Sequence, residues 1–583
     1  MRPPQGPFAL LCIATTALAA CTETPPSQVL DAGMPSLDAG SLADSGPAPD
    51  AAPTYADGDW MFDSTRLLRI EIEVPEDSWD ALRQQSRNII KLLGDACAEG
   101  PSYSPFTYVR ANVSIDGQRV EDVGIRKKGF LGSLSESKPS LKVKFNEYVP
   151  GQRFSGWKRM TLNNSVQDPS YMNQCLGYRL FEAAGVPAPR CSFATVRVNG
   201  RNLGVYVHVE SIKKPFLGRY FDDTSGNMYE GTLSDFRPDW VATYERKTNE
   251  SDPLGSEDRS DLLAIVGALT LEDDAVLLTA LGGLIDLDSF YSFWVVESML
   301  AHWDGYAGNN NNHYIYADPA TGKFTFIPWG ADQLFGDGPD WLDFVMTRGI
   351  ITRRLFLHAP SRQAYMQRYE TILNNAWDEA AMRGEVDRLQ AMLAPEIAAE
   401  EQPSFDEAVQ ALRRAIAGRT QRMTQALQNA GPQDADELAE PLCFEQSGTL
   451  SASFESNYQQ APTSVDLQII LQGQPEALSG VSAGLGPNEE QDDTSVLYLV
   501  GYTPNGRQAV AVVSVPNSLV GPGTVDLTER GIEAYVVYIP PGSEEPDAVY
   551  YMDGEITFEQ ANPVAGAAWK GSVSAKLWAP PWL

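Results

Sequence analysis

Asp304 opens the stretch with the most chemistry in it, Ala301-His-Trp-Asp-Gly-Tyr-Ala-Gly-Asn-Asn-Asn-Asn-His-Tyr-Ile-Tyr316. It follows the apolar run Phe290 to Leu300 and precedes a strand-like segment ending in Ile327-Pro-Trp-Gly-Ala-Asp332. A buried helix that stops in a carboxylate, a glycine turn and four asparagines carries more donors and acceptors than a turn needs. Buried polar groups must be paired. One partner set is a metal with phosphate oxygens. The other reading is an Asx-rich loop, because Asn and Gly are ordinary turn formers. A second cluster lies upstream: Gly124-Ile-Arg-Lys-Lys-Gly-Phe-Leu-Gly-Ser133, leading into Ser137-Lys-Pro-Ser-Leu-Lys-Val-Lys-Phe145. In the strand, Leu141, Val143 and Phe145 share one face, and Lys142 and Lys144 share the other. Two lysines beside a Gly/Ser-rich loop could clamp polyphosphate, or they could be a solvated strand face.

The elements that must position these groups are readable in outline. Leu68 to Val74 alternates at the strand period, and Phe106 to Ile115 and Val120 to Lys127 are β-rich. A helix starts at Asp168-Pro169 and runs from Ser170 to Ala184, ending at Gly185. Phe193 to Val198 and Leu203 to Val209 form a hairpin about Asn199-Gly200, ending in Glu210. Asp286 and Asp288 start the helix that leads to Asp304. Residues 361–429 are helical, and the last of these helices carries Arg419 and Arg422. Beyond the linker 431–442, short strands with Gly/Pro/Asn turns fill 443–583 and predict a mainly-β, sandwich-like domain.

The N-terminus bears on compartment. Phe8 to Ala17 is too short to span a membrane and suits a secretory h-region. Residues 1–20 then read as a signal peptide. Leu18-Ala-Ala-Cys21 resembles a bacterial lipobox, with Cys21 the lipidated residue. Residues 21–59, rich in Ala, Asp, Pro and Ser, read as a tether. Glu23 leaves inner and outer membrane open. A formal charge of −33 argues against nucleic-acid partners and nonspecific contact with anionic lipid, so the expected membrane attachment is the lipid anchor alone. Cys97, Cys175, Cys191 and Cys443 show no CxxC spacing, which disfavours zinc. Disulfides and free buried thiols both remain open, with Cys175 to Cys191 the shortest loop.

From about Leu67 to Leu427 the chain resembles the CotH (spore-coat protein H) kinase family, an atypical branch of the protein-kinase-like fold. Four motifs carry the resemblance in order. They are the basic glycine loop with Lys-Pro-Ser-Leu-Lys-Val-Lys-Phe145, Asn199-Gly-x-x-x-Gly-Val-Tyr-x-x-x-Glu210, His302-Trp-Asp-Gly-Tyr-x-x-Asn-x-Asn-Asn312, and Ile327-Pro-Trp-x-x-Asp-x-x-Phe-Gly336. The implied architecture is α+β. A kinase-like domain over 60–430, with a helical C-terminal subdomain, precedes the β-domain. The implied activity is transfer of the ATP γ-phosphoryl group to Ser or Thr of exported or surface proteins at the cell envelope, with Mg2+ or Mn2+.

Asp304 and Asn309 have the D-x-x-x-x-N spacing that kinases use for an acceptor-orienting carboxylate and a metal-binding amide. The resemblance therefore implies Asp304 as base. Asn309, Asn312 and Asp332 are the implied metal ligands. Lys142 is the implied first phosphate lysine and Lys144 the second, with Arg126 reaching from the loop. Glu210 would orient a lysine or approach the adenine. Three departures stand out: Gly330 where Pro-Trp-Asp-x-Asp is common, Glu230 where Lys is common, and Phe130-Leu131 after the loop glycine. The alternative function is a weakened or inactive kinase-like surface lipoprotein acting in binding, adhesion or coat assembly. A third reading is structural calcium at the asparagine loop.

Overall fold

The computed structural model describes residues 55–94, 97–102, 104–249, 258–335, 344–488, 493–543 and 545–581. The signal sequence, Cys21 and most of the tether lie outside them, as does Gly336. Contacts group the chain into two units, one built on residues 98–441 with the segment before residue 86, the other on 442–581 with Ser86–Cys97.

The larger unit begins with seven strands: β1 (Leu67–Glu73), β2 (Val109–Ile115), β3 (Gln118–Lys128), β4 (Ser140–Lys144), β5 (Arg159–Asn163), β6 (Cys191–Val198) and β7 (Arg201–Val209). They close into a barrel in the order β1-β2-β3-β4-β5-β7-β6, with β6 returning parallel to β1. Alternation explains the closure. Leu68, Ile70 and Ile72 of β1, with Leu141 and Val143 of β4, point into one apolar core while their neighbours point out. The pairing sets Arg126 of β3 opposite Lys142 of β4, and Gly124 opposite Lys144. Arg126, Lys128, Lys142 and Lys144 thus share one outer face.

A second sheet follows, of β8 (Met228–Gly231), β9 (Glu245–Arg246), β10 (His313–Asp318) and β11 (Lys323–Pro328), in the order β11-β10-β8-β9. Leading to it is the helix Leu287–Leu300, capped by Asp286 and buried from Phe290 to Leu300. Buried on every side from Phe290 onward, it sits inside a larger core. That core includes Trp294, Phe326 and Tyr365. The helix ends at Ala301 in the left-handed conformation, which turns the chain into the asparagine loop. Helices Ala359–Asn375, Glu379–Leu393, Gln402–Ile416 and Arg419–Asn429 complete the expected helical subdomain. Buried Arg419 donates from Nε to the Met299 carbonyl at 2.7 Å, satisfying a carbonyl at a helix end. The predicted start at Ser170 moves to Asn173, because Asp168 spends its carboxylate on the turn before the helix.

In the other unit the mainly-β expectation is met by one continuous antiparallel sheet running from Thr463–Ser464 at one edge to Gln474–Pro475 at the other. The layers expected of a sandwich are the two ends of this sheet, which curls so that Ser479–Pro487 meets Glu445–Asn457 around a core of Leu499, Val513, Val536, Ile556 and Trp569. Sequence patterning gives no sign of the segment Ser86–Cys97 in this unit. The Asn88 amide donates to the Thr528 carbonyl at 2.9 Å, and a disulfide joins Cys97 to Cys443. The second disulfide, Cys175–Cys191, is the short loop, and it ties the helix Asn173–Ala183 to β6. Both pairings resolve the choice between disulfides and free thiols. No helix among the described residues is long and apolar enough to cross a membrane.

Candidate functional site

Asp304 is fenced by amides. Asn309 donates to its Oδ1 at 2.8 Å, while Asn311 and Asn312 donate to Oδ2 at 3.1 and 2.6 Å. The loop reaches this geometry through the left-handed conformations of Asn310 and Asn312, which asparagine tolerates better than most residues. The short helix Tyr306–Asn309 is held from beneath by the fully buried Glu297, which accepts from the backbone N–H groups of Tyr306 and Ala307 at 2.9 and 2.8 Å. Gly305 is required there, since a Cβ would strike the Glu297 carboxylate and the His302 ring. Both ring nitrogens of the buried His302 lack hydrogen-bond partners among the described residues. Burial raises the Asp304 pKa above the ordinary carboxylate range, against the lowering effect of the asparagine amides and His302.

Asp332 lies close enough to feel that charge. Burial first, and then the Asp304 carboxylate, push its pKa up to about 6, opposed by Lys128 and His302. No ion pair or side-chain hydrogen bond engages the Asp332 carboxylate among the described residues. Asn173 instead fixes its backbone, donating to the Asp332 carbonyl at 2.8 Å. Asp168, also buried, faces the same place. Burial raises its pKa to about 7, the hydrogen bonds from Ser170 and Asn173 oppose this, and the charge of Asp332 adds to it.

The cations come from the outer face of β3 and β4. Lys142 has no hydrogen bond or ion pair among the described residues, and its pKa is pushed well below the usual value by burial, then by Arg126, Lys247 and Lys128. Lys128 bonds the Asn163 amide oxygen and lies 5.8 Å from the Trp329 ring. Burial lowers its pKa to about 8, against the pull of Asp332 and Glu230. Of the expected residues, Arg126, Lys142, Asp304, Asn309, Asn312 and Asp332 therefore belong to one charge-coupled group.

Two expected residues stand apart from this group. Lys144 is neutralised by Glu147 at 2.5 Å. The partners of Glu210 are arginines. Fully buried, it binds the Arg190 guanidinium at 3.1 Å and that of Arg219, which corrects the lysine-orienting role expected of it.

Lys128, Lys247, Asn311 and Asp168 are the residues the sequence reading missed. Lys128 was findable, being two residues beyond Arg126 on the same strand face. Asn311 is within the quoted loop, but loop spacing gives no side-chain direction. Lys247 and Asp168 required tertiary structure.

Gly330 has a structural reason. Its φ is +52°, and a Cβ there would overlap the Asn312 amide. Asn312 thus fills the space that a residue 330 side chain would use. Among the described residues no cluster of three or more His, Cys, Asp or Glu could hold a metal by itself. The Asp332 carboxylate is the hard oxygen donor that suits a cation taking few protein ligands, such as magnesium.

The "CotH kinase protein" family model matches residues 125–427, just over half of the chain. Inner spore coat protein H of Bacillus subtilis is 24% identical over 271 residues, 44% of this chain and 73% of that protein. Invasin CotH2 of Rhizopus delemar is 22% identical over 261 residues, covering 40% of this chain and 44% of the invasin. Invasin CotH3 of the same fungus is 26% identical over 193 residues, 30% of this chain and 31% of that one. The chain thus spans less than half the length of either invasin. A solved structure, the Helicobacter pylori proinflammatory kinase CtkA, aligns over 50% of this chain and 94% of its own at 9% identity, and its TM-score of 0.27 is too low to argue from. With the match running from within β3 into the last helix of the subdomain, the chain belongs to the CotH kinase family.

Proposed function

We propose that the larger unit is a metal-dependent protein kinase that moves the γ-phosphoryl group of ATP to Ser or Thr hydroxyls of exported or surface proteins. One observation carries this reading: the unpartnered Lys142, with Arg126 and Lys128, is electrostatically linked to the amide-fenced Asp304 and the unengaged Asp332. Phosphoryl transfer needs positioning and charge neutralisation more than covalent help from the protein. Lys142 and Lys128 would take the phosphate oxygens. Asp304, oriented by Asn309, Asn311 and Asn312, would accept the proton of the acceptor hydroxyl as its oxygen bonds to the γ-phosphorus and the bond to the β-phosphate oxygen breaks, releasing ADP. A raised carboxylate pKa suits a base working near neutral pH. Asp332, with amide oxygen from Asn309 or Asn312, would hold the divalent ion, Mg2+ or Mn2+, whose charge would offset that of the phosphates.

The names of the relatives, a spore coat protein and two invasins, support a site of action outside the cytoplasm. Cys21, which lies outside the described residues, is the proposed lipid attachment. Incubation of the purified chain with labelled ATP and Mg2+ or Mn2+ tests the activity. Label should appear on serine or threonine of the chain itself or of an exported protein, and disappear in Asp304→Ala. Nucleotide binding without any transfer would overturn it.

The second reading, a kinase-like surface protein that binds or adheres without transfer, draws on the space at Gly330. Filled by Asn312, it leaves Asp332 without a companion carboxylate on its own segment.

A further inference from the structure

The charge-coupled group around Lys142 includes a cation that β3 and β4 do not supply. Lys247 follows β9, and its Nζ lies 2.7 Å from Glu230 Oε2 and 2.8 Å from Glu245 Oε1. Its backbone is also anchored, accepting at 3.1 Å from Lys213 Nζ. Glu230 is central. It sits in β8 between Glu245 of β9 and Tyr314 of β10 in the strand register. Burial alone would raise its carboxyl, but Lys247 and then Lys142 overcome that and hold the pKa at about 2. Glu230 is thus ion-paired with Lys247 and within the electrostatic reach of Lys142 of β4, which Lys247 in turn repels.

This is an unusual arrangement for a purely structural ion pair. Lys247 has two carboxylates where one would neutralise it, and Glu245 is the more exposed of them. Release from Glu230 would leave Lys247 still tethered. Lys142, by contrast, has only the through-space attraction of Glu230. An incoming anion at this place would gain two ammonium groups already held in position.

Resting on the nucleotide reading above, we propose that Lys247 is a second phosphate-contacting cation beside Lys142 and that Glu230 is the positioning residue for both. The Glu230 carboxylate stands where the polyphosphate tail of a nucleoside triphosphate draws up to the two lysines.

Titration of the full chain with ATP, AMP and inorganic tripolyphosphate tests this, in the wild type and in Lys247→Met, Lys247→Arg and the exchange Glu230→Lys/Lys247→Glu. Lys247→Met should weaken ATP and tripolyphosphate by about tenfold to a hundredfold, the range of one charge-assisted hydrogen bond, and leave AMP within about twofold. Lys247→Arg, which keeps the charge if Lys247→Met fails to fold, should lose less than half of that on a logarithmic scale. The exchange should recover most of it. Unchanged ATP and tripolyphosphate binding in Lys247→Met, with only a lower melting temperature, would overturn the assignment and leave the nucleotide reading standing. A wild type that binds tripolyphosphate but not ATP would overturn the nucleotide reading and keep Lys247 as an anion contact. Binding of neither would overturn both.

Discussion

Two buried charge clusters in the same unit are built on opposite plans. Around Glu210 every charge is answered. The carboxylate is fully buried, Arg190 and Arg219 both bind it, and Arg190 reaches on to Asp59 at 2.7 Å. Around Lys142 the charges are close but unanswered. Its ammonium has no hydrogen bond or ion pair among the described residues, and the carboxylate of Asp332 has no side-chain partner there, only its own backbone N–H. A closed cluster contributes to holding the fold, because removing one member strands the others. An open one lowers stability until a ligand supplies the missing charge. Cluster geometry therefore separates the Glu210 region, whose charges are closed on one another, from the Lys142 region, whose charges are left open.

Breaking each cluster should have opposite signatures. Lys142→Met and Asp332→Ala should each lower phosphoryl transfer by roughly a hundred- to a thousandfold, the scale of losing a preorganised charge in an active site. Each should leave the melting temperature of the unliganded chain unchanged or higher. Single-turnover transfer and calorimetry on the same preparations measure both; a lower melting temperature in both variants would contradict the open-cluster description. Glu210→Ala should do the reverse, destabilising by about 3–5 kcal/mol in urea unfolding because Arg190 and Arg219 are left facing a void. Any folded fraction should retain nucleotide binding.

The contrast was only partly legible in the sequence. Period-two alternation placed Lys142 and Lys144 on one face, and the same rule extended through Arg126 would have added Lys128. Asp304 and Asn309 were found from their spacing. The lysine-orienting role expected of Glu210 fails because a motif position says nothing about which arginines fold against it, and Arg219 comes from a different element. The same limit hid Lys247, which reaches Glu230 only when β8 and β9 pair. The barrel was hidden too, since closure depends on β6 meeting β1 across most of the strand order. In the β-domain, alternation gave the strands but not the segment Ser86–Cys97, whose attachment depends on Cys443, 346 residues away.

A gentler test restores the carboxylate that this chain lacks. Gly330→Asp alone should destabilise by about 1–3 kcal/mol, the range for forcing atoms into a packed place, because its Cβ meets the Asn312 amide and its backbone is left-handed. Combining it with Asn312→Gly should recover part of that stability and strengthen Mn2+ binding, read by electron paramagnetic resonance. If Gly330→Asp is neutral by itself, Asn312 does not fill that space.

The pH dependence of the unliganded chain sharpens the comparison further. Asp332 and Asp168 have pKa values raised to about 6 and about 7, so the folded state holds protons there that the unfolded chain has released. Their contribution is most favourable below about pH 4 and declines as pH rises to about 7. Glu230, held at about 2, has the opposite sign, giving stability above its unfolded value that is lost as pH falls toward 2. Asp332→Asn should flatten the decline between pH 4 and 6 in thermal melts, whereas Glu230→Gln should flatten the acid limb.

The smallest effect belongs to the residue that shares the lysine face but not the open cluster. Lys144 is in strand register with Gly124, its ammonium is taken by Glu147, and both side chains are about a quarter exposed. An ion pair of that exposure contributes no more than about 1 kcal/mol after solvent screening. Lys144→Met should therefore change stability by less than about 1 kcal/mol and leave ATP affinity within a factor of about two. Face membership alone would make Lys142 and Lys144 equivalent, and partner occupancy makes them different. A Lys144→Met loss as large as that of Lys142→Met in ATP titration would show that Glu147 releases Lys144 to the phosphates, and the division between answered and unanswered charge would then have to be drawn one strand position further out.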